Sequence, residues 1–265
     1  MRCPLLLAAL VAVGFAATAH AAPPSVQLEE LTWTEVRAAL QAGATTIIVP
    51  AGGTEQNGPH MALGKHNVRA RLLAGRIAAA LGDTLVAPVL AYVPEGAISP
   101  PAGHMRFPGT ISIPNAAFKS TVEAAGRSFR QAGFTHIVLL GDHGGYQPVL
   151  EDAAKALNKE WAGSGVRAHF IEDYYWVIET AYVQALRAKG LSEAQIGSHA
   201  GTADTSLMLA LDPSLVRTDR LAGHSAADGT AGDPTASSAA LGQLGVDLIV
   251  SHTVAAIRKA RAEKR

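Results

Sequence analysis

The apolar and polar positions divide the chain into short strand-like runs separated by longer stretches of helical spacing. Thr45-Thr46-Ile47-Ile48-Val49 is a run of strand length that ends at Pro50-Ala51-Gly52-Gly53, and it predicts a buried strand. From Asn67, apolar residues recur at Val68, Leu72, Leu73, Ile77 and Leu81. That spacing predicts a helix with Asn67 as N-cap and Gly82 as its stop. Thr84 to Ala91 predicts a second strand. Asn115 then caps a helix with Phe118, Val122, Ala125, Phe129 and Ala132 on one face, closed by Gly133. Thr135 to Leu140 is the clearest buried strand, Pro148 to Trp161 a helix, and Val166 to Ile171 a further strand. Tyr175 to Lys189 is helical, and Ala239 to Arg261 forms a last amphipathic helix through Leu241, Leu244, Leu248 and Ala255. The Gly-, Asp- and Ala-rich stretch from Gly223 to Pro234 is a loop. Strands alternate with helices, with no internal repeat and no long linker, so the pattern predicts one α/β layered domain over residues 22–265.

The N-terminus follows a different rule. Met1-Arg2 gives a positive start, and Leu5 to Ala17 is apolar throughout. Ala19-His20-Ala21 places small residues where a signal peptidase inspects the chain, and Pro23-Pro24 breaks any helix that follows. Residues 1–21 therefore read as a secretory signal peptide, too short to span a bilayer, and the expected location is periplasmic or secreted. No later segment approaches 18 uninterrupted apolar residues, so no membrane association is expected after cleavage.

Composition narrows the chemistry. The 22 acidic and 22 basic residues cancel, which removes the basic face that nucleic-acid binding demands. The sole cysteine, Cys3, lies in the signal segment. A mature chain without thiols has no disulfide and no thiolate ligand, so His, Asp and Glu must hold any metal. In open α/β sheets, ligands collect beyond the carboxyl ends of the strands. Two glycine-rich polar segments follow strands here: Gly52-Gly53-Thr54-Glu55-Gln56-Asn57-Gly58-Pro59-His60 and Gly141-Asp142-His143-Gly144-Gly145. A third polar cluster runs from Ser198 to Ser206. Each combines His with a carboxylate, and glycine lets the backbone pass close to an ion or substrate.

Four ordered segments resemble the motifs of the creatininase (creatinine amidohydrolase) family. They are Glu55 to His60 with Leu63-Gly64, Phe107 to Ile113, Gly141 to Gly145, and His199 to Met208. The resemblance covers nearly all of the mature chain. It implies a three-layer α/β/α sandwich with a mostly parallel sheet, often hexameric, that hydrolyses a C–N bond of a cyclic or linear amide at a dinuclear metal centre. Several positions depart from the family pattern. Asn57 replaces a histidine, and His66 falls where the family has a bridging aspartate. Gly145 and Thr202 fall where some members have acidic residues. A carboxylate can bridge two ions, whereas a neutral imidazole offers one nitrogen. The altered set Glu55, His66 and His143 therefore suggests one divalent ion, zinc before manganese, that activates a water. By the same resemblance His199 is the proton donor to the leaving nitrogen. Asp204 would orient it or hold the attacking water, or else cap the helix through Leu207. The alternative is a catalytically inactive periplasmic binding or scaffold protein that retains the fold. A serine hydrolase is disfavoured, because the chain has no Gly-x-Ser-x-Gly elbow.

Overall fold

The computed structural model of the protein describes residues 23–263. The apolar run from Leu5, the Ala19-His20-Ala21 site and Cys3 lie outside the described residues. Four strands form the sheet: β1 (Thr46–Ala51), β2 (Thr84–Val86), β3 (His136–Gly141) and β4 (Arg167–Phe170). Their order is β2-β1-β3-β4, and every pairing is parallel. The helices are α1 (Trp33–Gln41), α2 (Lys65–Leu81), α3 (Asn115–Ala132), α4 (Gln147–Glu160), α5 (Asp173–Val177), α6 (Val183–Ala188), α7 (Glu193–Ile196), α8 (Thr202–Leu211) and α9 (Ala239–Ala262). A π-helical segment, Ile178–Tyr182, joins α5 to α6.

The three layers follow from the two-residue side-chain period of a strand. Ile47, Val49, Ile137 and Leu139 point to one face, where they meet Phe118 and Val122 of α3 and Leu150 and Leu157 of α4. Ile48, Val138 and Leu140 point to the other, against Leu73 and Ile77 of α2, Leu207 of α8 and Ile249 of α9. Burial on both faces explains why the strands read as unbroken apolar runs. On the second face α9 lies across α8 at close range. Gly242 has no room for a Cβ against the Ser206 carbonyl, and Gly245 has none against Leu207 and Tyr182.

Some boundaries differ from the sequence pattern, each for a local reason. β2 ends at Val86, before Pro88, and Leu90 rejoins the sheet only through a single bridge to Ala51. Asn67 does not cap α2, whose N-cap is Gly64. Its side chain instead fastens the loop after β1, accepting from the Gly53 N–H at 2.9 Å and donating to Thr54 Oγ1 at 3.1 Å. Asn115 is the first residue of α3, and Pro114 is the cap. α1, which the periodicity does not announce, starts from a capping box between Thr32 and Glu35.

Candidate active site

Loops leaving the carboxyl ends of β1, β2 and β3 converge with the turn before α8, where parallel α/β sheets bind ligands. They enclose a cavity of about 280 Å³ lined by Lys65, His66, His104, His143, His199 and Asp204, among others. Glu55 lies beneath it with no exposed surface. Four histidines surround its carboxylate. His66 Nε2 is 2.8 Å from Oε1, and His199 Nδ1 is 3.7 Å from the same oxygen. His104 Nε2 and His143 Nε2 lie 3.4 and 3.6 Å from Oε2. Burial alone would raise the Glu55 carboxyl. The charge and hydrogen bond of His66, aided by Lys65 and His143, outweigh it and hold the group well below the usual carboxylate range.

The N-terminal turns of α2 place Lys65, His66 and Arg69 against the sheet, and all three are buried. Arg69 Nε donates to Asp142 Oδ1 at 2.7 Å, and its Nη1 donates to Asp204 Oδ1 at 2.8 Å. Lys65 Nζ donates to Asp204 Oδ2 at 2.7 Å, which also accepts from the Ala200 N–H at 3.0 Å. Tyr174 donates to Asp142 Oδ2 at 2.6 Å. A continuous path of alternating charge thus runs Glu55–His66–Asp142–Arg69–Asp204–Lys65. Burial pushes both aspartates up, but for Asp142 Arg69 and His66, and for Asp204 Lys65 and Arg69, more than reverse it, so both stay ionised.

This arrangement changes the ligand set expected from the sequence. His66 has Nε2 on Glu55 and Nδ1 on Asp142 at 2.6 Å. Both ring nitrogens are thus occupied by buried carboxylates, which leaves neither facing an open position for a metal. The group that can hold an ion is instead Glu55, His104 and His143, whose ligand atoms lie within 4.8 Å of one another. Asp142 holds His66 and Arg69. Asp204 is neither an N-cap, since Gly201 takes that place, nor hydrogen-bonded to His199. It anchors Lys65, Arg69 and the Ala200 amide. His60 is fully buried, with Nε2 3.0 Å from Thr205 Oγ1, and it does not line the cavity.

His143 is pushed down to about 4, first by burial and then by the charge of His66. His199 is pushed down to about 3 by burial and Lys65. Both are therefore neutral near pH 7. His199 Nε2 donates to the Gln56 carbonyl at 2.9 Å, so its lone pair is Nδ1, facing Glu55. His104 lies beside it, with ring centroids 4.4 Å apart. Gln56 Oε1 accepts from the Gly58 N–H, and its Nε2 donates to the Gly229 carbonyl. Those contacts aim the amide nitrogen at His104 Nδ1, 2.7 Å away.

Sequence reasoning passed over Lys65, Arg69 and Glu95. The first two sit one helical turn apart beside His66 on α2, which is a readable signal. Glu95 lies in the irregular loop after β2, and its side chain is fully buried beside His143. No periodicity marks it.

Comparison with known proteins agrees with the geometry. The family model described as creatinine amidohydrolase matches residues 29–257. A creatinine amidohydrolase of Pseudomonas putida is 32% identical over 203 residues, covering 76% of this chain and 77% of the relative. A mycofactocin precursor peptide peptidase of Mycolicibacterium smegmatis is 30% identical over 221 residues, covering 74% and 78%. Solved structures of a manganese creatininase and of a zinc–zinc creatininase variant superpose with TM-scores of 0.76 and 0.75. Each is 28% identical and covers 90% of this chain, with 100% and 99% of its own length matched. With its parallel sheet, its three layers and its cluster of histidines around one buried glutamate, this chain belongs to the creatininase family.

Proposed function

We propose that this protein is an amidohydrolase that works with one divalent ion held by Glu55, His104 and His143. One observation carries the reading. Glu55 Oε2 is buried without a hydrogen-bond partner among the described residues, and two imidazoles face it. Buried carboxylate oxygens rarely stay bare, and two histidines with one carboxylate are a ligand set for a catalytic zinc with an open position. Manganese is the second choice. An ion there would supply Lewis-acid polarisation of the amide carbonyl and a more acidic water.

The chain's own residues account for the remaining steps. Lys65 and Arg69 place positive charge under the cavity, where an oxyanion develops. His199, neutral and with Nδ1 open, would take a proton at that atom from the attacking water and then give it to the leaving nitrogen. Ion binding at His104 Nε2 requires a lone pair there, so the ring proton would move to Nδ1 and displace the contact with the Gln56 amide nitrogen. The cavity suits a small cyclic or linear amide. One relative is named for creatinine and the other for a precursor peptide, which brackets the substrate class.

Elemental analysis of the purified protein and an amide panel test the reading together. The expected result is close to one zinc or manganese per chain and hydrolysis that a chelator abolishes and the ion restores. Two tightly held ions would overturn the single-ion site, and a protein with neither ion nor turnover would be the inactive binding protein instead. The proposal extends to export and to a homo-oligomer. Exposed Trp33, Tyr92, Ile98 and Trp176 support the latter as contact residues, and sedimentation velocity checks it: a monomer at micromolar concentration refutes it.

A further inference from the structure

Glu95 belongs to none of the four motifs and to none of the ligands named so far, yet it is built into the site. The backbone fixes its segment from both sides. The Glu95 N–H donates to Ser112 Oγ at 3.0 Å, and the Ile113 N–H donates to the Val93 carbonyl at 3.1 Å. From there the side chain turns inward, with no exposed surface. Glu95 Oε2 reaches 3.4 Å from His143 Nδ1, and the carboxyl abuts that of Glu55. Two glycines leave the necessary space. A Cβ at Gly53 would collide with Glu95 Oε1, and one at Gly145 would press on His143 and approach the Pro94 carbonyl.

The result is an imbalance. Glu55 Oε2 and both oxygens of Glu95 are buried, and none has a hydrogen-bond partner among the described residues. The nearby basic side chains are committed elsewhere, Lys65 to Asp204, Arg69 to Asp142 and Asp204, and His66 to Asp142 and the other oxygen of Glu55. Two buried carboxylates in contact need a positive charge between them, either a proton or a metal ion.

We propose that Glu95 is a further ligand of the divalent ion, so that the site comprises two carboxylates and two histidines. This rests on the metal-binding reading above and deepens it. A second carboxylate strengthens binding through charge, and it moves the donor set toward ions that accept more oxygen, which accommodates manganese beside zinc.

Glu95→Gln separates the two ways of satisfying the carboxyl. Glutamine imitates the protonated acid but is a poor, uncharged ligand. If Glu95 binds the ion, Glu95→Gln weakens zinc and manganese affinity by more than ~100-fold in a chelator competition, beyond the ~10- to 100-fold that loss of a group merely holding His143 would cost. It also changes the visible spectrum of the cobalt-loaded protein, as loss of a first ligand does. If wild type binds an ion and Glu95→Gln leaves affinity and spectrum unchanged, Glu95 is only a proton holder. The proposal then falls while the metal-binding reading stands. If wild type binds no ion, both fall. A crystal structure of the zinc-loaded wild-type protein decides the point without any variant. A Glu95 oxygen about 2.0–2.2 Å from the ion supports the proposal, and an ion with Glu95 turned away overturns it.

Discussion

The most exacting prediction concerns Arg69→Met. The guanidinium is 2% exposed and bonds two carboxylates, Asp142 through Nε at 2.7 Å and Asp204 through Nη1 at 2.8 Å. Methionine keeps much of the apolar stem but removes every donor. Asp142 then retains His66 and Tyr174, while Asp204 retains Lys65 and the Ala200 N–H. Removing one partner of a buried ionic network typically destabilises by about 3–5 kcal/mol. For a domain of this size, that is a fall in Tm of roughly 6–20 °C. The pH dependence carries a definite sign. Both aspartates have folded pKa values below their unfolded values, so the stability they add is fully present above about pH 4. It is lost as pH falls toward the folded values. Without Arg69 those values rise. The gap between wild type and variant should therefore be full at pH 7 and should narrow only below about pH 4. Urea denaturation at pH 7 and at pH 4 or below measures it. A loss under ~1 kcal/mol, or a gap that does not change with pH, would show that Arg69 is not the keystone of this charge path.

Two further predictions address catalysis and processing. His199→Ala should leave ion content intact, because His199 is outside the converging group Glu55, His104 and His143. It should cut turnover by roughly 10²- to 10⁴-fold, and loss of the ion would make His199 a ligand instead. The Ala19-His20-Ala21 site predicts that exported protein begins near Ala22. N-terminal sequencing reads this directly, and an intact Met1 in soluble cytoplasmic material would refute it.

The sheet was the most legible part of the chain. β1 and β3 are buried on both faces, so their sequences are apolar without interruption, and their ends fall within a residue or two of the pattern. The cap residues were less legible. Asn67 and Asn115 have the right chemistry near the right places, but Asn67 finds a stronger use holding Gly53 and Thr54. Within the site, motif order brought Glu55, His143 and His199 to one place. It did not show that both nitrogens of His66 would be taken, because that depends on Asp142, 76 positions away. His104 sits on a single 3-10 turn, Gly103–Arg106, and Glu95 in an irregular loop, where no period links a residue to a face. The available signal was the glycines. Gly53 and Gly145 were read as room for a ligand, and the structure shows Gly53 leaving that room for Glu95 and Gly145 sparing His143.

The close seating of α9 on α8 bears on the order in which the chain can mature. All four strands are complete by Phe170, so the sheet and its α3–α4 face can assemble early in synthesis. The opposite face cannot. Its covering helix comes from residues 239–262, and the Gly242 contact with Ser206 locks α8, which carries Asp204. Until those residues have left the ribosome, Leu207 and its neighbours lack their cover, Lys65 lacks its fixed anion, and Arg69 has only one of its two. A nascent chain halted before position 239 would therefore hold a nearly finished sheet with a sticky, unclosed side, the kind of species that chaperones bind. Chemical competence and burial of that side arrive together, once residues 239–262 are free to pack.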